Sequence, residues 1–90
     1  MSIARHVRIR GRVQGVFFRA WVRDEARSIG VCGWARNCSD GSVEAQLEGD
    51  SEAIEELIAL MREGPPGARV DDVQVQQADP EGLDHFTVRH

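Results

Sequence analysis

The spacing of apolar residues changes along this chain from a period of two to spacings of three and four, and back again, twice. Strict alternation, as in residues 6–13, is typical of a strand with one buried face, whereas spacings of three and four are typical of an amphipathic helix. The order of segments therefore predicts β-α-β-β-α-β, with the last β portion divided by a loop into two strands. Because 90 residues suffice for one hydrophobic core, we expect a single domain over residues 1–90.

The predicted helices each carry one apolar stripe. The stripes consist of Phe18, Val22, Ala26 and Ile29 in the first helix, and of Ala53, Ile54, Leu57, Ile58 and Met61 in the second. The residues expected to face the core from the strands include Val7 and Ile9 in the first, Val73 and Val75 in the fourth, and Phe86 and Val88 in the fifth. This order favours an α+β, ferredoxin-like βαββαβ sandwich, in which an antiparallel sheet has two helices on one face. The polar residues of the strands would then line an open second face.

Charge and cysteine content narrow the functional classes. The net charge of −4 disfavours nucleic-acid binding, which usually requires a basic surface. The apolar runs are far shorter than the roughly 20 residues that span a membrane, and the first ten residues lack the apolar segment of a secretory signal. An extended strand would separate Cys32 from Cys38 by about 20 Å, which excludes a disulfide. We therefore expect a protein of the reducing cytoplasm that does not act at a membrane.

The most unusual stretch is GRVQGVFFR, residues 11–19, which connects the first strand to the first helix without a capping side chain. Gly11 and Gly15 allow the backbone to curl, so that a row of amide donors at the helix N-terminus can bind an anion. Arg19 lies in the first turn, where a cation typically costs about 0.3–1 kcal/mol against the helix dipole. A bound phosphate would offset both effects. The alternative is an ordinary glycine-rich turn followed by a surface arginine.

The reaction chemistry is limited by what the chain lacks. No arginine follows a cysteine at the spacing of cysteine phosphatases, because Cys38 stands six residues after Cys32, and no cluster of ligands suggests a metal. An arginine, an amide nest and a neutral polar residue can still hydrolyse an acyl phosphate, whose carboxylate leaving group needs no protonation. Asn37 can supply the neutral group and hold a water, although an asparagine near Asp40-Gly41 is also a common turn former.

Two motifs together resemble the acylphosphatase family. These are GRVQGVFFR and, after a helix, GWARNCSDGSVE at residues 33–44, and the resemblance extends to the closing FTVR at residues 86–89. It implies a ferredoxin-like sandwich that hydrolyses acyl phosphates without metal, cofactor or covalent intermediate, with inorganic phosphate as product or inhibitor. By the same resemblance Arg19 is the catalytic arginine that binds phosphate, and Asn37 orients the attacking water. The phosphate-binding loop would comprise Val13, Gln14, Gly15, Val16, Phe17 and Phe18.

Cys38 and His90 depart from the common family pattern, but neither replaces the arginine, the asparagine or the loop. A nucleic-acid-binding module of the same strand order is disfavoured, because the outward positions of the third strand are acidic or neutral and on the second strand only Trp34 could stack a base. A non-catalytic domain that binds an anion or another small molecule stays open as the alternative function. We expect a monomer whose partner is the small-molecule substrate.

Overall fold

The computed structural model describes residues 2–90 and has the predicted order of elements. The strands are β1 (Ile3–Arg12), β2 (Cys32–Asn37), β3 (Val43–Gly49), β4 (Arg69–Ala78) and β5 (Phe86–Arg89), and the helices are α1 (Phe18–Ile29) and α2 (Ser51–Glu63). The predicted bounds of α1 are confirmed, with Gly30 in a left-handed conformation directly after its last residue. Within residues 2–90, neither helix is long and apolar enough to cross a membrane.

The five strands form one sheet in the order β4-β1-β3-β2-β5. The pairs β1–β3, β1–β4 and β2–β3 are antiparallel, whereas β5 runs parallel to β2, with Gly33 opposite Phe86. The ferredoxin-like sandwich is thus confirmed, although the sheet is mixed, because β5 departs from the predicted antiparallel pairing at one edge. The reason is that β4 takes the opposite edge, so the chain must cross the whole sheet before β5 and arrives in the direction of β2.

The hydrophobic core lies between the helices and one face of the sheet. The predicted stripes supply its centre, namely Val7 and Ile9 from β1, Phe18, Val22 and Ala26 from α1, and Ile54, Leu57 and Met61 from α2, all almost fully buried. Val75 is an exception, because it keeps 38% of its surface exposed on the edge strand β4, although it was predicted to face the core. The position of α1 over this core brings its N-terminus beside the end of β2.

The second face of the sheet is not fully open as expected, because the polar side chains of its central strand β3 are buried. Glu44, Gln46 and Glu48 retain only 4%, 3% and 4% of their surface exposed. The chain between β4 and β5 contacts Gln46 and Glu48, and the backbone amides of residues 81–83 donate hydrogen bonds to the Glu48 carboxylate at 2.7, 3.1 and 3.2 Å. Gln46 donates from Nε2 to the carbonyl oxygen of Asp79 at 3.0 Å. A buried carboxylate therefore holds the crossing segment against the sheet.

Trp34 and Glu44 are also buried on this second face of the sheet. Burial alone raises the pKa of the Glu44 carboxyl, but hydrogen bonds from His6 and Arg36 outweigh it, so the net shift is downward. Trp34 is only 7% exposed, and the guanidinium carbon of Arg89 lies 4.5 Å from the centroid of its ring. The aromatic residue of β2 that could have stacked on a base is thus already covered by an arginine, which argues against base stacking on this face of the sheet.

Candidate active site

The loop between β1 and α1 has an unusual backbone. Gly15 and Phe17 both adopt left-handed conformations, with φ of 76° and 57°. Phe17 occupies the N-cap position of α1, makes no side-chain cap hydrogen bond, and is the only residue other than glycine with a positive φ among residues 2–90. This conformation costs a non-glycine residue about 1–3 kcal/mol and is concentrated at functional sites. The N-terminus of α1 thus lacks a side-chain cap, as the sequence predicted.

Buried side chains hold this loop at its two ends. Val13 and Phe18 are each only 1% exposed, so the segment between them is short and fixed at both sides. The ring of Phe18 packs against Trp21, with ring centroids 5.7 Å apart. Between these anchors the ring of Phe17 projects into solvent and is 86% exposed. Core packing at the ends can therefore maintain the strained backbone in the middle.

Gln14 has a role that the sequence did not reveal. Its Nε2 atom donates to the carbonyl oxygens of Cys38 and Ser42, at 2.8 and 2.9 Å. The side chain thus connects the loop to the turn between β2 and β3. No sequence signal identified these acceptors, because they are backbone atoms 24 and 28 residues away.

Arg19 is oriented by the last strand of the sheet. Its Nη1 atom donates to the carbonyl oxygen of Arg89 at 2.8 Å and lies 3.4 Å from Nδ1 of His90. The contact with Arg89 joins residues 70 positions apart, so local sequence patterns could not predict it. With Nη1 engaged, Nη2 and Nε remain as donors for a ligand.

Asn37 is the last residue of β2 and lies opposite Val43 of β3. Because alternate residues of a strand point to opposite faces, Asn37 shares the helix-facing side with Ala35, and its position at the strand end leaves it exposed. The adjoining turn is braced by Asp40, whose carboxylate accepts from the amide and the hydroxyl of Ser42 at 3.0 and 2.5 Å. These bonds, together with Arg10, hold the pKa of Asp40 well below its ordinary value.

One cavity of about 420 Å³ brings most of the predicted site residues together. It is lined by Val13, Gly15, Phe17, Phe18, Arg19, Ala20, Arg23, Asn37, Val88 and His90. Of the predicted loop residues, Gln14 and Val16 do not line it. The cavity has the size typical of small-molecule sites, roughly 300–1,000 Å³. Its polar groups are cationic or neutral, and within residues 2–90 no group of three His, Cys, Asp or Glu side chains could hold a metal ion.

Comparisons with known proteins identify the family to which this fold belongs. Residues 5–88 match the family model described as Acylphosphatase. A curated acylphosphatase of Thermococcus kodakarensis is 55% identical over 83 residues, which cover 92% of this chain and 91% of the relative.

Solved structures of acylphosphatases have the same fold as this chain. An acylphosphatase from Coxiella burnetii superposes with a TM-score of 0.94 at 39% identity, covering 98% of this chain and 93% of the other. The acylphosphatase from Bacillus subtilis has a TM-score of 0.94 at 33% identity, with each chain fully covered. Since the family match spans nearly the whole sequence and the relatives are matched over nearly their full lengths, the chain belongs to the acylphosphatase family.

Proposed function

We propose that this protein hydrolyses acyl phosphates in the cavity at the N-terminus of α1, with Arg19 and the loop amides binding phosphate and Asn37 positioning water. The observation that supports this most strongly is the shared location of Arg19, Asn37 and the uncapped helix end on one cavity. Membership of the acylphosphatase family gives the reaction class. The roles of the individual residues follow from their chemistry in this arrangement.

The phosphoryl group would lie against the backbone of residues 13–18, where the helix N-terminus favours negative charge. Arg19 would contact two phosphate oxygens, because its planar guanidinium matches their spacing. The carbonyl of Arg89 fixes Nη1 from behind, so little side-chain freedom is lost when the ligand binds. Charge stabilisation by groups already in place is the main catalytic effect of such a site.

The nucleophile would be a water held by the Asn37 side chain, which can accept from it and donate to it. The water oxygen forms a new bond to phosphorus as the bond between phosphorus and the acyl oxygen breaks. The carboxylate leaves with the electron pair, and the proton lost by the water goes to solvent. Because a carboxylate is already a good leaving group, no general acid is required. We therefore propose a reaction without metal, cofactor or covalent intermediate.

The test is phosphate release from acetyl phosphate by the purified protein, measured with and without a chelator and beside an alkyl phosphate. We expect turnover that the chelator does not change and negligible turnover of the alkyl phosphate, because the site provides no proton for an alkoxide. Loss of activity with the chelator would contradict metal independence. Binding of phosphate without any turnover would favour the alternative, a non-catalytic anion-binding domain. We further propose that residues 1–90 form one domain and that the protein is a monomer of the cytoplasm. Light scattering in solution tests the monomeric state.

A further inference from the structure

We infer that the same cavity contains a second anion-binding subsite, formed by Arg23 and His90, and that the preferred substrates are acyl phosphates whose acyl part bears a further carboxylate or phosphate. This inference rests on the proposed function, because it concerns the acyl end of the substrate. Arg19 and Asn37 are assigned to the phosphoryl end, and the subsite would contact the opposite end.

The charge around the cavity is the first observation. The chain has a net charge of −4, yet among residues 2–90 the lining of the cavity includes two arginines and a histidine and no Asp or Glu. One arginine is enough for the phosphoryl group together with the loop amides. Arg23 is therefore a cation in excess of what the proposed reaction needs. Clefts lined by charge of one sign concentrate ligands of the other sign.

The placement of Arg23 is the second observation. It follows Arg19 by four residues in α1, so the two side chains emerge from the same face of the helix about 6 Å apart along its axis. Nε of Arg23 donates to Asp24 at 3.1 Å, an exposed contact between sequence neighbours of the kind that holds a side chain weakly. The two Nη nitrogens are left as donors, in the geometry that suits a carboxylate or a phosphate.

His90 contributes a further donor. When Nδ1 accepts from Nη1 of Arg19, at 3.4 Å, the proton of a neutral imidazole lies on Nε2. That N–H can donate to an anion in the cavity without giving up the contact to Arg19. The subsite then combines a fixed charge from α1 with a hydrogen-bond donor that follows β5.

The size of the substrate follows from this spacing. In an extended chain, three consecutive bonds span about 3.3–3.6 Å, so five bonds of an extended substrate span about 6 Å. This length equals the separation of Arg19 and Arg23 along the helix axis. Five bonds separate phosphorus from the distal carboxyl carbon in succinyl phosphate. Butyryl phosphate has a methyl group at that position and is otherwise the same length. The apolar lining, Val13, Phe18 and Val88 among others, suits the methylene chain of both compounds.

The decisive measurement is kcat/KM for succinyl phosphate divided by kcat/KM for butyryl phosphate, after subtraction of spontaneous hydrolysis. We expect a ratio of about ten in the parent protein, as for one charge-assisted hydrogen bond, and a ratio near one in Arg23→Gln. Arg23→Lys, which keeps the charge, should retain part of the preference. 3-Phosphonopropionyl phosphate has the same number of bonds and shows whether the subsite favours a phosphate-type anion over a carboxylate.

Arg62→Gln is the matched control, because Arg62 lies in the last turn of α2, carries the same charge and does not line the cavity. Its ratio should equal that of the parent protein. A parent ratio near one, or an unchanged ratio in Arg23→Gln, would overturn the subsite alone. Turnover of neither substrate above the spontaneous rate would contradict the proposed function itself.

Calorimetry with compounds that cannot be hydrolysed gives an independent readout. 5-Phosphonopentanoate should bind the parent protein about tenfold more tightly than pentylphosphonate, and Arg23→Gln should abolish the difference. Because the effect requires direct contact, Arg62→Gln should preserve it. Equal affinities of the parent protein for the two compounds would again count against the subsite.

Discussion

Arg19 lies in the first turn of α1, where the helix dipole opposes a cation, and the carbonyl of Arg89 gives this position a favourable contact. Phe17, two residues earlier, keeps a left-handed backbone and an almost fully exposed ring. Both residues break a local preference at the same point of the chain. Such local conflicts are expected at functional sites, where geometry for the ligand outweighs local stability.

Arg19→Lys should greatly reduce turnover of acetyl phosphate and also weaken inhibition by inorganic phosphate. Lysine keeps the charge but cannot bind two oxygens as a planar fork or reach Arg89 in the same geometry. Steady-state kinetics with a phosphate competition series measures both effects. Near-normal turnover together with near-normal phosphate inhibition would contradict the proposed role of Arg19.

Asn37→Ala should separate the effect on the chemical step from the effect on phosphate binding. We expect kcat to fall by about 10²–10³-fold, as for loss of one positioned hydrogen-bonding group in an active site, while phosphate inhibition changes little. The physical reason is that the water matters only as the new bond forms. Circular dichroism verifies the fold of the variant. If phosphate inhibition weakened as much as in Arg19→Ala, Asn37 would be a binding residue.

At the scale of elements, the site depends on a connection between two loops. The β1–α1 loop carries the amides and the β2–β3 turn follows Asn37, and Gln14 bonds the first to two carbonyls of the second. The Asp40–Ser42 bonds then stiffen the turn itself. In the proposed site, the two hydrogen bonds of the Gln14 side chain would therefore set the position of the phosphate relative to the water.

Gln14→Met tests this connection, because methionine has a similar length and no donor. We expect a loss of about 1–3 kcal/mol in unfolding free energy, since two part-buried carbonyls lose their partner. We also expect kcat to fall more than the affinity for phosphate, because the loop keeps its own amides. Urea denaturation and kinetics give the two quantities. A loss of stability with unchanged kcat would show that Gln14 is structural only.

The segment between β4 and β5 predicts a particular acid sensitivity. Burial raises the pKa of the Glu48 carboxyl, but hydrogen bonds from the amides of residues 81–83 and from Gln46 outweigh it, and the net pKa is lowered. A lowered folded-state pKa contributes stability that is fully present above the unfolded value, about 4.3. That contribution is lost as pH falls from there through the folded value.

Glu48→Gln should therefore destabilise the protein at pH 7, by about 1.5–3 kcal/mol for hydrogen bonds to a charged group. The difference from the parent protein should shrink as pH falls below about 4.3, because the parent carboxylate then becomes protonated as well. Urea denaturation across this pH range measures the difference. Glu56→Gln, on the exposed side of α2, is a suitable control. A difference that stayed constant with pH would exclude Glu48 as the source.

At the scale of the whole molecule, the sequence predicted what depends on local periodicity and capping. The bounds of α1, the buried stripes of both helices and the uncapped end of α1 belong to this class. It did not predict what depends on contacts distant in sequence, such as the parallel pairing of β5 or the covering of Glu44, Gln46 and Glu48. The alternation of β3 correctly predicted one apolar and one polar face. Periodicity cannot tell whether the polar face is exposed to solvent or buried by other residues.

The position of β5 also has a consequence for how the chain folds. Both edge strands come from the last part of the sequence, and β5 pairs with β2 at the edge opposite β4, the strand that precedes it in the chain. Contacts between residues so far apart form late, because closing a long loop costs entropy before the contact rewards it. Phe86→Leu should accordingly speed unfolding and leave the refolding rate nearly unchanged in stopped-flow experiments, whereas slower refolding would place β5 in the nucleus. Since Arg89 holds Arg19, catalytic competence would then be the last property that a newly made molecule acquires.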